Sequence, residues 1–166
     1  HGNIDVKSTV NEGSAFTVAL TFRAQPLHDA AKEAEALFGT SLRILLVEDN
    51  EINLEIETEL LERMGFTVEP AENGQIALDK VKCASPGDYD LVIMDLQMPV
   101  MDGWQATAEI RRLPDPTLAH IPIIALSADI LASNKGRAME CGIDACLSKP
   151  LDFTLLLQAI EKIAKR

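Results

Sequence analysis

The stretch Leu91-Val92-Ile93-Met94-Asp95-Leu96-Gln97-Met98-Pro99-Val100-Met101-Asp102-Gly103 decides the fold. Four consecutive apolar residues without polar alternation predict a strand buried on both faces, as in parallel sheets covered by helices. The run ends in a carboxylate and opens into a Pro/Gly loop. Asp95 therefore stands beyond the carboxyl end of a strand, where open parallel sheets bind their ligands. Three further runs repeat the arrangement. Ile44-Leu45-Leu46-Val47 leads to Glu48-Asp49, Ile123-Ile124-Ala125-Leu126 to Ser127, and Ala145-Cys146-Leu147 to Lys149-Pro150.

Outward from these runs, strands are predicted at 43–47, 66–69, 90–94, 121–126 and 144–147. Helices are predicted at 51–64, 74–83, 103–112, 130–140 and 152–164. In the first helix Ile52, Ile56, Leu60 and Met64 recur at steps of four, which predicts its buried stripe, and Gly65 stands where a left-handed cap closes it. Phe153, Leu156, Leu157, Ile160 and Ile163 form a comparable face in the last helix. Five strand–helix units in succession predict an α/β fold, a doubly wound parallel sheet with right-handed crossovers. In the order 2-1-3-4-5, strands one and three are neighbours at the switch point. Glu48-Asp49 and Asp95 then face each other, with Ser127 and Lys149 at the ends of the next two strands.

Composition agrees. The 166 residues are 47% hydrophobic and only 4% aromatic, which requires an aliphatic core. A net charge of −11 argues against nonspecific nucleic-acid binding, which needs cationic surface. Three cysteines, Cys83, Cys141 and Cys146, give neither a disulfide framework nor a metal pattern, so a reducing, cytoplasmic setting is expected. No stretch is long and apolar enough to span a bilayer, and no membrane contact is expected of these residues. The chain begins at His1, inside what reads as a strand, and is expected to be part of a longer protein that carries any membrane anchor elsewhere.

Ahead of the five units, Ile4, Val6, Phe16, Val18, Leu20 and Phe22 alternate around a Gly13-Ser14 turn and predict a β-hairpin with one buried face. Residues 28–38 are expected to form a short helix in the linker that follows, which Gly39-Thr40-Ser41 ends.

The four strand ends together suit phosphoryl transfer with a divalent metal. Clustered carboxylates repel unless a cation compensates, and Mg²⁺ prefers such hard oxygen ligands. Asp49 and Asp95 are expected to bind it directly, Glu48 through a metal-bound water, and the Gln97 backbone carbonyl to complete the protein's share. Asp95 is the nucleophile. Lys149 pairs with Asp95 or a phosphoryl oxygen, and Ser127 holds another oxygen. Singly, each residue has a plainer reading: Glu48-Asp49-Asn50 and Ser127 as helix caps, Lys149 as a surface charge. Four such coincidences at one sheet edge are a poorer account than one site.

With these residues in view, 42–166 resembles the receiver (response-regulator) domain of two-component systems, a flavodoxin-like (βα)5 fold. The resemblance rests on Ile44-Leu45-Leu46-Val47-Glu48-Asp49-Asn50, Asp95 with Met98-Pro99 and Met101-Asp102-Gly103, Ser127-Ala128 and Lys149-Pro150. Asn50, Asn53, Leu60-Leu61 and Gly65 look most like receivers attached to hybrid sensor histidine kinases. It implies that Asp95 is the phosphoacceptor, that Glu48 and Asp49 serve Mg²⁺, that Ser127 is the switch hydroxyl, and that Lys149 contacts the phosphoryl group across a cis Lys149-Pro150 bond. The implied donor is a phosphohistidine of a histidine kinase, and the onward partner a histidine phosphotransfer protein or domain.

Residues 1–24 are similar to the C-terminal end of a histidine-kinase ATP-binding domain, through Gly2-Asn3-Ile4 and Gly13-Ser14-Ala15-Phe16, with 25–41 as linker. The family's ATP-binding boxes and phosphorylatable histidine box are missing from these residues: His28 is followed by Asp29-Ala30-Ala31. The expected contribution to catalysis is assistance of the domain's own phosphorylation. Cys146 departs from the family's frequent aromatic residue three positions before the lysine, and reads as a packing residue. Two alternatives stand beside this reading. A haloacid-dehalogenase-like phosphatase wants an acid two residues beyond its nucleophile, where this chain has Gln97. A receiver-like binding module that is never phosphorylated has no need of the intact acid set.

Overall fold

The computed structural model describes residues 2–9, 13–20, 42–128 and 140–164. The predicted linker helix at 28–38 and nearly all of the predicted helix at 130–140 lie outside them. The N-terminal residues form an antiparallel pair, β1 (Gly2–Thr9) and β2 (Gly13–Leu20). Gly13 and Ser14 open β2, paired with Thr9 and Ser8, and so do not form the turn expected of them. Ile4 and Val6 lie opposite Val18 and Phe16, and these four side chains are exposed rather than buried as expected. Two strands alone have no second layer to cover an apolar face.

The remaining elements run β3 (Arg43–Val47), α1 (Glu51–Arg63), β4 (Thr67–Ala71), α2 (Gly74–Cys83), β5 (Leu91–Asp95), α3 (Gly103–Ile110), α4 (Pro116–Ala119), β6 (Ile123–Ser127), β7 (Ala145–Ser148) and α5 (Phe153–Ala164). The five strands from β3 onward form a parallel sheet in the order β4-β3-β5-β6-β7, the expected 2-1-3-4-5. Side chains alternate across it. Leu45, Val47, Val92, Met94, Ile123 and Ala125 pack with Ala77, Leu78, Val81, Ala106 and Ile110 of α2 and α3. Ile44, Leu46, Leu91, Ile93, Ile124 and Leu126 pack with Leu61 of α1, its cap residue Met64, and Leu156, Leu157 and Ile160 of α5. Both faces are covered, which is why these strands read as unbroken apolar runs.

Three local expectations need correction. β4 continues through Pro70 to Ala71, because it is an edge strand and a missing N–H costs no ladder bond on the open side. The four-residue helix α4 stands between α3 and β6, started by Asp115, whose Oδ1 accepts from the Thr117 and Leu118 amides. The buried face of α1 matches the predicted stripe only at its end, where Met64 is buried and Leu60 half-buried. Ile52 and Ile56 are 67% and 51% exposed, while Glu57, Leu61 and Met64 turn inward and Leu54 is half-buried. Leu54, Glu57, Leu61 and Met64 recur at three and four residues, the spacing of one helix face.

Gly65 behaves as expected. Its φ of 89° is left-handed, its amide donates to Glu62, and the Phe66 amide donates to Leu61. The pair forms the double closure of a Schellman cap. The inward face of α5 is also as expected, with Leu156, Leu157 and Ile160 buried.

Candidate phosphoryl-acceptor site

Parallel register lines the strand ends up. Val47 lies beside Met94, Asp95 beside Leu126, and Ser127 beside Ser148. Glu48-Asp49, Asp95, Ser127 and Lys149 therefore reach the same edge from four strands. One oxygen each from Glu48, Asp49 and Asp95 lies within 4.8 Å of the others. Glu48 and Asp95 are buried and Asp49 is exposed, so the cluster opens to solvent on the Asp49 side.

Each buried acid has named partners. Asp95 Oδ2 accepts from Lys149 Nζ at 2.7 Å, and its Oδ1 from the Gln97 amide at 2.9 Å. Lys149 Nζ also donates to Glu48 Oε2, and Asn53 Nδ2 donates to Glu48 Oε1 at 3.1 Å. Asn53 is held in the first turn of α1 by the Asn50 cap, whose Oδ1 accepts the Asn53 amide at 3.1 Å. The Lys149 amide donates to the Ser127 carbonyl at 2.9 Å, and the Lys149-Pro150 bond is cis. Burial alone would lower the Lys149 pKa, but hydrogen bonds to Asp95 and Glu48 outweigh it and hold the ammonium above its usual range.

Sequence reading named Asn53 and Gly103 only within motifs and passed over Glu57, and all three shape this edge. Asn53 orients Glu48, and its position one turn into a helix that begins just after Glu48 was the available signal. Gly103 lets the start of α3 lie against β5: a Cβ there would collide with the Asp95 carbonyl and meet Met94 Cγ at 2.9 Å. Glu57 lies 9% exposed on the inner face of α1, with Oε2 lacking a hydrogen-bond partner. Its burial, then the Glu48 and Asp95 charges, push its pKa up to about 7, with Lys149 opposing. A glutamate inside an apolar helical stripe was its signal. Cys146 is half-buried on β7 and packs against the α2–α3 side of the core.

The chemistry of this donor set is that of a hard-cation site: three carboxylates that converge, with one ammonium to balance them. An open parallel sheet with such a cradle at its switch point defines an acceptor domain of the doubly wound α/β class. The chain belongs to the response regulator receiver domain family, whose model matches residues 44–161. This sets the phosphatase alternative aside.

The aerobic respiration control sensor protein ArcB of Escherichia coli strain K12 is 37% identical over 97% of this chain and 20% of its own length. The receiver domain of the histidine kinase CKI1 from Arabidopsis thaliana, crystallised with Mg²⁺ and BeF₃⁻, is 33% identical with a TM-score of 0.69, covering 82% of this chain and 97% of that one. The receiver domain of the sensor histidine kinase PA1611 from Pseudomonas aeruginosa PAO1, with magnesium coordinated in its active-site cleft, is 31% identical with a TM-score of 0.64, covering 74% and 97%. The chain spans 4% to 20% of the length of the curated relatives it matches, which include hybrid histidine kinases. Among the described residues no helix is long and apolar enough to cross a membrane.

Proposed function

We propose that this receiver domain takes a phosphoryl group from a phosphohistidine onto Asp95 and passes it to a second histidine. The observation that carries this reading is the Lys149 ammonium, which donates hydrogen bonds to both Asp95 and Glu48 beside the Asp49 carboxylate. Asp95 Oδ attacks phosphorus, the P–N bond breaks, and the imidazole leaves with the electron pair. Lys149 follows the transferred group as a point charge, and the Ser127 hydroxyl donates to one of its oxygens. Asp49, Asp95 and the Gln97 carbonyl would hold Mg²⁺ directly, with Glu48 reaching it through a water. The cation supplies charge neutralisation to the transferred group, which is most of what phosphoryl transfer asks of a protein. The ordering of Ser127 toward the phosphoryl group then biases a two-state surface beyond β6 and β7.

The partner is a histidine phosphotransfer protein or domain, and its docking face is the rim of exposed apolar side chains beside Asp49. Ile52 and Ile56 on α1 supply part of it, and Val100, 83% exposed in the loop that follows β5, supplies another. Val100 carries a left-handed φ of 69°, a costly state for a β-branched residue. Residues 1–24 are the end of a kinase ATP-binding domain, 25–41 a linker and 42–166 the receiver. The similarity to ArcB over 97% of the chain supports this order, as does the exposed apolar face of β1–β2, which the rest of such a domain would cover. The setting is cytoplasmic.

The test is incubation with acetyl phosphate and Mg²⁺ followed by intact mass. One added phosphoryl group is expected, not acquired when Mg²⁺ is chelated beforehand and absent in Asp95→Asn. Labelling that survives in Asp95→Asn rejects the acceptor assignment, and a wild-type chain that takes no label rejects the reading.

A further inference from the structure

Glu57 occupies a position of the α1 inner stripe where an apolar side chain belongs. It is more than nine-tenths buried, and its Oε2 has no hydrogen-bond partner. A carboxyl so placed costs free energy that an alanine or leucine would avoid. It stands one helical turn beyond Asn53, whose Nδ2 donates to Glu48 at 3.1 Å, and the charges that act on it are those of Glu48, Lys149 and Asp95. Lys149, the one cation among them, already donates to Glu48 and Asp95.

We propose that Glu57 is a fourth acid of the acceptor site, a positioning residue that acts through the field at Glu48 and Asp95 without touching the transferred group. Glu48, Asp49, Asp95 and Lys149 comprise three negative charges and one positive. Ionised, as it is above about pH 7, Glu57 adds negative charge to the field at the cradle. That favours a divalent cation and opposes the phosphoryl group, which brings further negative charge to Asp95. The acyl phosphate is less stable for it, and onward transfer is easier. The transfer itself is unaltered: an imidazole nitrogen attacks phosphorus, the P–O bond to Asp95 breaks, and the carboxylate leaves with the electron pair. A domain built this way passes phosphoryl groups on and stores them poorly. The inference rests on the receiver reading.

The experiment compares the wild-type chain with Glu57→Gln, which keeps the shape, and Glu57→Ala, which does not. Mg²⁺ is titrated at constant ionic strength in mildly alkaline buffer, followed by calorimetry and by the fluorescence of the single tryptophan, Trp104, at the start of α3. Chains loaded from acetyl phosphate are then followed by intact mass as the label decays. Both variants are expected to bind Mg²⁺ roughly threefold to tenfold more weakly, the size of one removed charge in a partly shielded site. Both are expected to hold the label severalfold longer. A merely structural role would make Glu57→Ala melt lower than Glu57→Gln while Glu57→Gln keeps wild-type cation affinity. That result, or a shorter-lived label in Glu57→Gln, overturns this inference alone. A wild-type chain that neither binds Mg²⁺ nor takes the label removes the receiver reading and this inference with it.

Discussion

The Lys149 ammonium lies 2.7 Å from Asp95 Oδ2 across 54 residues of chain, with the Glu48 carboxylate on its other side. One cation between two buried acids fixes the charge state of this edge. It also holds β7 to β5 at the point where the intervening strand, β6, ends in Ser127.

Lys149→Met leaves Glu48 and Asp95 buried without their shared cation. Loss of one partner from a buried pair is strongly destabilising, and partial access to solvent at this rim reduces that to about 2–3 kcal/mol. The same loss makes the cradle more negative, so Mg²⁺ is expected to bind more tightly and to restore much of the stability. Urea denaturation with and without Mg²⁺ checks both parts. Equal stability losses with and without the ion would contradict the shared-cation account.

Glu57 sets a pH dependence of folding with a definite sign. Its burial first, then Glu48 and Asp95, raise its pKa from 4.5 to about 7, against the pull of Lys149. The folded chain therefore holds this proton more tightly than the unfolded chain. The stabilisation is full below about pH 4.5 and is lost as pH rises through 7. Relative to Glu57→Gln, the wild-type chain is expected to lose on the order of 2 kcal/mol across that window. Denaturation midpoints of both chains at either end supply the measurement, and a difference that stays constant with pH refutes the assignment.

Gly103→Ala pushes a methyl group into the Asp95 carbonyl and against Met94 Cγ. Backbone cannot yield as a flexible side chain does, so a loss of about 1–3 kcal/mol is expected. Because the displaced atoms belong to the acceptor residue, label uptake from acetyl phosphate should fall further than the stability loss explains. Uptake at the wild-type rate in a chain that is still folded would show that α3 does not fix Asp95.

Docking and folding separate at Val100. Val100→Gly relieves a left-handed backbone that costs roughly 1–2 kcal/mol in non-glycine residues, partly offset by glycine's greater freedom in the unfolded chain. A neutral or slightly raised melting temperature is expected. Transfer to a histidine phosphotransfer domain should nevertheless slow, and slow again with Ile52→Glu, while uptake from acetyl phosphate stays the same. Equal slowing with the small donor would place these residues in the chemistry and not in docking.

The amino-acid order determined the architecture and the acid set. Unbroken apolar runs mark strands buried on both faces, and the polar residue that ends each run must emerge at the sheet edge. Glu48, Asp49, Asp95, Ser127 and Lys149 were legible for that reason. So were Gly65, whose missing side chain permits a left-handed backbone, and the inner face of α5.

Tertiary structure decided what depends on packing between elements. The inner face of α1 runs through Leu54, Glu57, Leu61 and the Met64 cap, and Ile52 and Ile56 face outward. A count of apolar periodicity passes over that face, because it scores Glu57 as a polar interruption. Asn53 reaching Glu48, and Gly103 lying against Asp95, are likewise contacts between separate elements. Local sequence fixes where a side chain sits along its own strand or helix; which groups share a dielectric environment, and so which charges act on one another, follows only from how those elements are stacked.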